Sequence, residues 1–361
     1  MKKSRGSLFE TSPRWTRFVA ALSARHLDAA VVSDRYNIRA LTGIDCDNGL
    51  LVVLPKRAPL FFTDFRYVPM VHRCAPLLSV CDIRAFSRAQ ILPRLKTGRI
   101  RLGYEGTITH ARYLAWRKVF PETTFVDLAS DGAMLRAVKT PSEQAAIRAA
   151  AALNDEIWQA AMTRFRAGMT EREMAREIRA LMIARGDGEA FDTIVCVGKN
   201  AAECHHVPDE TVWNGRESVL VDMGVKLNGY CSDMTRNLLP KRPSETYRRV
   251  YELVLEANRR AREAVRPGLT AGALDAVARD FLSENGFGAA FGHSLGHGVG
   301  LEIHEPPYAA KKNLTPLEPG MIVTIEPGVY LEGNLGVRIE DLVLVTETGY
   351  ELLSKSEKAH F

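Results

Sequence analysis

Residue types that commonly bind metal ions, histidine and carboxylates, are concentrated in the second half of the sequence. Asp222 ends the apolar run Val219-Leu220-Val221, and Asp233 follows eleven residues later. Burying a carboxylate at the end of an apolar strand is costly unless it is paired or binds a cation. If the two segments form a hairpin across Val225 to Asn228, the carboxylates face each other and need a cation between them. Taken alone, the pair is equally compatible with two ordinary turn aspartates.

A cluster of histidines forms the second group. Three histidines lie within twelve residues, and four glycines surround them: His293, His297 and His304, with Gly292, Gly296, Gly298 and Gly300. Glycine has no side chain and lets the backbone approach a ligand closely. A single histidine is typical of a core or a surface, but this combination indicates a binding site.

Two glutamates form the third group. Glu326 and Glu340 each end or interrupt an apolar strand pattern, and either one alone is compatible with a surface acid on an edge strand. Together, four carboxylates and one or more histidines on strands predict a dinuclear metal site. Oxygen ligands favour Mn²⁺, and an imidazole also allows Co²⁺ or Zn²⁺. Two ions about 3.5–4 Å apart can hold a bridging hydroxide and polarise a carbonyl, as in aminopeptidases.

The complete pattern resembles the metallopeptidase family of methionine aminopeptidase, aminopeptidase P, prolidase and creatinase, which has the pita-bread fold. The resemblance covers nearly the whole chain, because segments 36–43 and 62–67 are similar to the creatinase-type N-terminal domain. It implies a metalloenzyme with two divalent ions, and it implies that Glu340 bridges them. The five ligands that it implies are Asp222, Asp233, His297, Glu326 and Glu340.

The same resemblance implies catalytic roles and a substrate. His293, four residues before the ligand His297, matches the proline-specific branch and not methionine aminopeptidase. The implied reaction is attack of a metal-bridging hydroxide on the carbonyl before proline, with Glu326 as the proton shuttle as well as a ligand. The implied partner is therefore a proline-containing peptide, and the family also implies a homodimer.

Further positions match residues that contact substrate. His205 lies where the family has a substrate-binding histidine, although the neighbouring His206 and the preceding Glu203-Cys204 depart from the family pattern. We expect His205 to face the substrate. The resemblance also implies that His304 stabilises developing charge and that Arg338 supports the hydrogen-bond network of the site.

The choice between aminopeptidase P and prolidase depends on the substrate's C-terminus. The loop Gly43 to Gly49 carries Asp45 and Asp47 where the family has small residues. Acids there would repel the free carboxylate of a dipeptide, so the sequence favours an aminopeptidase P-like enzyme acting on longer peptides. Prolidase remains the alternative, since both acids are also compatible with ordinary turn residues.

More distant alternatives have less support. Gly292 to Gly296 matches the G-x-S-x-G elbow of serine hydrolases, which requires a strand immediately before it; residues 285–291 are too short and glycine-rich for one. A non-catalytic binding module of this fold, or a creatinase-like hydrolase without the metal pair, would not need the complete ligand set.

Two domains are expected to position these residues. Residues 1–132 alternate short strands and helices, which predicts an α/β domain of the creatinase type. Residues 133–361 mix helices (about 141–166, 170–184, 244–265 and 270–285) with strands (218–223, 229–238, 321–325 and 337–345), which predicts the α+β pita-bread catalytic domain.

Composition excludes several other classes. The chain has 361 residues, 46% hydrophobic and 25% charged, which is ordinary for a folded protein. It has no apolar run of about 18 residues for a membrane helix, no dense basic block for nucleic acid, and no apolar stretch after the basic start Met1–Gly6. Six cysteines without a paired spacing predict a reducing, cytoplasmic setting.

Overall fold

The computed structural model describes residues 12–91, 93, 95, 100–128 and 130–361, so the basic start lies outside the described residues. The chain divides into two compact units, Met1–Arg136 and Ala137–Phe361, a few residues after the predicted boundary. In the part of the chain that is described, no helix is both long and apolar enough to cross a bilayer.

The first unit is built on one mixed sheet of six strands. Its strands are β1 (Ala29–Val32), β2 (Gly49–Leu54), β3 (Arg57–Thr63), β4 (Ser79–Asp82), β5 (Arg101–Tyr104) and β6 (Thr124–Asp127), in the order β4-β3-β2-β1-β5-β6. Its helices are α1 (Pro13–Ala24), α2 (Arg35–Thr42), α3 (Val68–Cys74), α4 (Arg88–Ile91), α5 (His110–Val119) and α6 (Ser130–Ala133). Strands β2 and β3 pair antiparallel as a hairpin.

The second unit contains four long helices near their predicted positions: α7 (Pro141–Met162), α8 (Glu171–Arg185), α9 (Glu245–Ala264) and α10 (Ala271–Glu284). Thr170 and Glu173 form a capping box at the start of α8. Apolar side chains of α7 and α8, including Ile157 and Ile178, pack with Val221 of a neighbouring strand and form one core of this unit.

Thirteen strands complete the described part of the second unit. They are β7 (Gly188–Glu189), β8 (Ile194–Val197), β9 (Val219–Met223), β10 (Val225–Leu227), β11 (Tyr230–Cys231), β12 (Met234–Leu238), β13 (Gly296–Gly298), β14 (Glu305–Ala309), β15 (Ile322–Ile325), β16 (Gly328–Leu331), β17 (Leu335–Arg338), β18 (Asp341–Val345) and β19 (Tyr350–Leu352). They form the sheets β12-β9-β8, β11-β10-β7, β14-β13-β15-β18-β19 and β16-β17. This mixture of helices and antiparallel strands confirms the predicted α+β class.

The hairpin that carries the two aspartates turns at Asn228 and Gly229, whose φ angles are 52° and 78°. Two positive φ angles are typical of the tight turn that matches strand twist, and Asn-Gly is its preferred sequence. The single strand predicted over 229–238 is wrong, because the chain breaks between β11 and β12. The carbonyl of Ser232 lies 2.3 Å from where a Cβ on Gly224 would be, so only glycine fits this close approach.

The single strand predicted over 337–345 is also wrong. The chain leaves the β16–β17 hairpin after Arg338 and joins the five-stranded sheet at Asp341, which pairs with Ile325. Between them, the backbone N–H of Glu340 donates to the carbonyl of Thr235 in β12 (3.3 Å). Glu340 therefore lies where three strands from different sheets meet, a position that strand periodicity does not encode.

Candidate metal centre

One cavity of about 300 Å³ in the second unit brings together every residue that the sequence predicts for the site. The predicted residues on its wall are Asp222, Asp233, His297, Glu326, Glu340, His205, His293, His304 and Arg338. Phe191, Ile194, Cys204, Ser294, Ile303, Tyr308 and Tyr330 complete the lining. The residues come from loops and strands spread over more than a hundred positions of sequence.

The carboxylates converge on one nitrogen of His297. Its Nε2 atom lies 3.3 Å from Glu326 Oε1 and 3.6 Å from Asp233 Oδ2. Ligand atoms of Asp233, His297 and Glu340 all lie within 4.8 Å of one another. The other ring nitrogen, Nδ1, is 3.1 Å from the carbonyl of Gly298, to which it can only donate. In the neutral ring the lone pair is therefore on Nε2, facing the carboxylates, which is the tautomer that binds a metal.

The protein balances only part of the charge of this cluster, through the ion pair of Arg338 with Asp222. Burial raises the pKa of Asp222 and, together with neighbouring carboxylates, raises the pKa values of Asp233 and Glu340 well above their usual range. Burial also opposes ionisation of Glu326, but the hydrogen bond and charge of His297, together with the charges of His293 and Arg338, outweigh it and lower the pKa of Glu326. The buried Oδ1 atom of Asp222 has no hydrogen-bond partner. This donor set of oxygens and one imidazole fits divalent cations.

Arg338 holds one side of the cluster in place. Its guanidinium donates to Asp222 Oδ2 (2.6 Å), to Thr235 Oγ1 (3.1 Å) and to the hydroxyl of Tyr330 (2.8 Å). It also donates to the carbonyl of Cys204 (3.2 Å). All three of its side-chain nitrogens thus form hydrogen bonds with protein groups. Arg338 therefore orients Asp222 and connects it to the segments that contain Thr235, Tyr330 and Cys204.

The hydrogen bonds of His293 favour its neutral form. Its Nδ1 donates to the carbonyl of Ser294 (2.8 Å), and its Nε2 lies 3.0 Å from the hydroxyl of Tyr330. Because that hydroxyl already accepts from Arg338, its own hydrogen is available to His293. Burial lowers the pKa of His293. Both ring nitrogens are used, so the geometry favours a positioning role, and the predicted catalytic role stays a prediction.

The segment before Ser294 does not form a serine-hydrolase elbow. A short 3₁₀ turn, Gly288–Ala290, and a loop precede it, whereas the elbow requires an apolar strand. The serine-hydrolase alternative therefore has no structural support in this described segment.

Two further histidines lie at the cavity. The ring of His304 packs edge-on against His297, with 4.3 Å between ring centroids. Partial burial and the charge of His297 lower the pKa of His304, which favours its neutral form. His205 is exposed and lines the cavity, whereas His206 points away from it, with Nε2 2.7 Å from Glu171. This orientation agrees with the choice of His205 as the substrate-facing residue.

Sequence analysis missed several polar residues that support the cluster. Thr235 donates to Glu340 Oε2 (2.7 Å), and Thr324 donates to Glu326 Oε1 (3.1 Å). Each threonine is two residues from a predicted ligand, and this spacing places side chains on one face of a strand. The spacing could therefore have identified both threonines from the sequence. For Tyr330 the sequence offers no such indication, since it is simply an aromatic residue with a hydroxyl group within an apolar segment.

Asn258 on α9 was missed as well. It is fully buried, and its Nδ2 donates to the carbonyls of Ile325 (2.9 Å) and Ile339 (3.2 Å). These carbonyls immediately precede Glu326 and Glu340, so one amide fixes the backbone before both glutamates. No sequence signal indicates this contact, since it joins segments that are distant along the chain.

Both acids of the loop Gly43 to Gly49 have partners within the first unit. Asp45 forms ion pairs with Arg35 and Arg39, and the hydrogen bond from Arg35 lowers the pKa of Asp45. Asp47 accepts a hydrogen bond from the hydroxyl of Tyr67. The charge of Asp45 is therefore locally balanced and Asp47 is hydrogen-bonded, whereas the sequence argument for aminopeptidase P treated both as unpartnered acids.

Comparisons with known proteins agree with this geometry. The model of metallopeptidase family M24 matches residues 145–347, and that of the creatinase/prolidase N-terminal domain matches residues 14–138. A Xaa-Pro dipeptidase of Pyrococcus furiosus is 35% identical, over 96% of this chain and 98% of the relative.

Solved structures give the same result. A Xaa-Pro dipeptidase from Bacillus anthracis has a TM-score of 0.90 and 34% identity, covering 96% of this chain and 98% of its own. An X-Pro aminopeptidase from Thermotoga maritima has a TM-score of 0.83 and 29% identity, covering 94% and 99%. The two Xaa-Pro dipeptidases, which have the higher identities, favour the dipeptidase alternative over the aminopeptidase P-like interpretation.

Proposed function

The chain belongs to metallopeptidase family M24, and from this premise we propose that it is a metal-dependent Xaa-Pro dipeptidase. The observation that carries the proposal is one cavity that brings together three buried carboxylates, the partly exposed carboxylate of Glu326 and the Nε2 atom of His297. The dipeptidase assignment is supported by relatives named Xaa-Pro dipeptidase that align over nearly the full length of both chains.

The family uses divalent metal ions, and five residues would hold them here: Asp222, Asp233, His297, Glu326 and Glu340. Divalent ions at such a site lower the pKa of a water molecule and polarise the carbonyl of the substrate. We propose Mn²⁺ as the preferred ion, because oxygen donors outnumber nitrogen donors four to one among these residues. The Oδ1 atom of Asp222, which has no hydrogen-bond partner, and the carboxylates with raised pKa values support a bound cation at this site.

The protein's own groups would share the remaining work. Glu326, whose pKa is lowered, is ionised and able to accept the proton of the attacking water and pass it to the leaving proline nitrogen. His304, whose ring packs edge-on against His297, would donate together with His205 to the carbonyl oxygen on which charge develops. Arg338 keeps Asp222 oriented through the reaction.

A substrate pair tests the specificity. The metal-free protein is supplemented with Mn²⁺, Co²⁺ or Zn²⁺ and assayed on Ala-Pro and on Ala-Pro-Ala, with Ala-Ala as the control without proline. A dipeptidase cleaves Ala-Pro and leaves the tripeptide intact. Cleavage of the tripeptide alone would instead establish aminopeptidase P activity and overturn the dipeptidase proposal.

A further inference from the structure

A fully buried carboxylate organises the loop that presents His205. Glu171, the first residue of α8, accepts four hydrogen bonds, two at each oxygen. Oε1 accepts from the backbone N–H of Val197 (2.6 Å) and from Asn200 Nδ2 (2.9 Å). Oε2 accepts from His206 Nε2 (2.7 Å) and from the backbone N–H of Asp209 (3.1 Å). One side chain thus ties both ends of the segment 197–209 to the helix.

His206 supplies the positive charge that this buried carboxylate requires. Its Nε2 faces Glu171 and its Nδ1 faces Glu203 (3.4 Å), so both ring nitrogens point at carboxylate oxygens. Burial lowers the pKa of His206, but the hydrogen bond and charge of Glu171, with smaller contributions from Glu203 and Asp209, outweigh it and raise that pKa. The pair resembles a buried ion pair, in which loss of one partner leaves the other uncompensated.

The cluster is not arranged as a second metal site. Ligand atoms of Glu171, His206 and Asp209 lie within 4.8 Å of one another. However, Glu171 and His206 are already in direct hydrogen-bond contact, and Asp209 Oδ1 accepts from the backbone N–H of Thr211 (2.7 Å). The lone pairs that a metal would need are therefore engaged by donors of the protein.

We propose that Glu171 and His206 form a clamp that fixes the position of His205 at the cavity, and that both are positioning residues for the peptidase reaction. The inference rests on the proposed function for its kinetic consequence. His206 is drawn into the protein (its side chain is 10% exposed), while the adjacent His205 is exposed and lines the cavity. Anchoring one histidine thus determines where its neighbour can reach.

The test compares two variants of His206, one without and one with a side-chain hydrogen-bond donor. His206→Phe keeps a ring but deletes both nitrogens, whereas His206→Gln places an amide N–H near the former Nε2. We expect kcat/KM for Ala-Pro to fall about tenfold in H206F and to be largely restored in H206Q. Glu203→Gln, which alters only the exposed partner, is the matched control and keeps wild-type kinetics.

A double-mutant cycle separates positioning from a general structural role. In a His205→Ala background, H206F should cause no further loss of kcat/KM, because His206 acts through His205. Independent, additive losses would overturn the proposal, as would equal activity of H206F and wild type.

Hydrogen exchange of the metal-free protein gives a readout that does not depend on activity. The amides of Val197 and Asp209, which donate to Glu171, should exchange faster in H206F than in wild type or E203Q. Unchanged exchange in H206F would overturn the clamp. If the wild type cleaves no Xaa-Pro dipeptide, the dipeptidase proposal fails, while the exchange experiment still tests the clamp.

Discussion

Glu340 and Asp341 are adjacent, fully buried carboxylates in opposite electrostatic surroundings. Asp341 forms ion pairs with Arg236 (2.9 Å), Arg262 (3.1 Å) and Lys358 (2.9 Å). Burial opposes its ionisation, but these cations lower the pKa of Asp341. Around Glu340 the other acids of the cavity add to the effect of burial, and the pKa of Glu340 is raised well above its usual range.

The difference separates a structural acid from an acid that binds a ligand. In the described part of the chain, neither Asp233 nor Glu340 forms an ion pair with a lysine or arginine. A buried charge must be compensated. At Asp341 the protein supplies the compensating cations, and the carboxylate belongs to a network of ion pairs. At Glu340 the protein supplies no such cation, so the site is suited to a cation from solution.

The largest expected effect is on activity. Asp233→Ala removes a carboxylate from the uncompensated cluster, and we expect kcat/KM for Ala-Pro to fall by about 10³-fold. Metal analysis of the loaded protein should show fewer bound ions than wild type. Wild-type turnover in this variant would show that the cluster is not the catalytic centre.

The second expected effect is on stability and requires no metal. Asp341→Asn leaves the buried Arg236 and the partly buried Arg262 and Lys358 without their common partner, which should lower the free energy of unfolding by about 3 kcal/mol. Glu340→Gln, one residue earlier, is the matched comparison: it relieves repulsion among carboxylates, and the metal-free variant should be at least as stable as metal-free wild type. Denaturant unfolding of both metal-free variants measures the contrast, and equal losses would remove the distinction between the two acids.

Metal addition should sharpen the same contrast. Saturating the chelator-treated wild type with Mn²⁺ at 100 times its Kd should raise the free energy of unfolding by about 2.7 kcal/mol. D341N should show a similar increase in the free energy of unfolding on adding Mn²⁺, because the five proposed metal ligands are intact. E340Q should lose most of this increase. A similar increment in E340Q would mean that Glu340 is not a ligand.

The smallest effect concerns pH and the Glu171–His206 pair. The pKa of His206 is raised in the folded protein above its unfolded value of about 6.5. The ion pair therefore contributes fully below that unfolded value, and its contribution is lost as pH rises through the folded pKa. The stability advantage of wild type over H206Q should be larger near pH 6 than near pH 9. Glu171, Glu203 and Asp209 face His206, and Arg172 of α8 pairs with Glu210. Measuring the stability of E203Q at the same two pH values controls for the contribution of the exposed Glu203.

Much of the molecule could be predicted from local patterns. The capping box at Thr170 predicts the start of α8, because the capping hydrogen bonds are formed by residues three positions apart. The acids at the ends of apolar runs predict the ligand cluster, because a buried charge without a local partner needs one from elsewhere. The breaks at Asp233 and Glu340 could not be predicted, since each marks a change of sheet.

The sequence by itself determined the helices, the α+β class of the second unit and the set of groups that could bind metal. These follow from residue type and spacing within short segments. Only the tertiary structure decided that His205 and not His206 faces the cavity, that Asn258 supports both glutamates, and that Asp341 is compensated while Glu340 is not. Each of these depends on partners that are distant along the chain, and such contacts form only when the sheets and helices pack together.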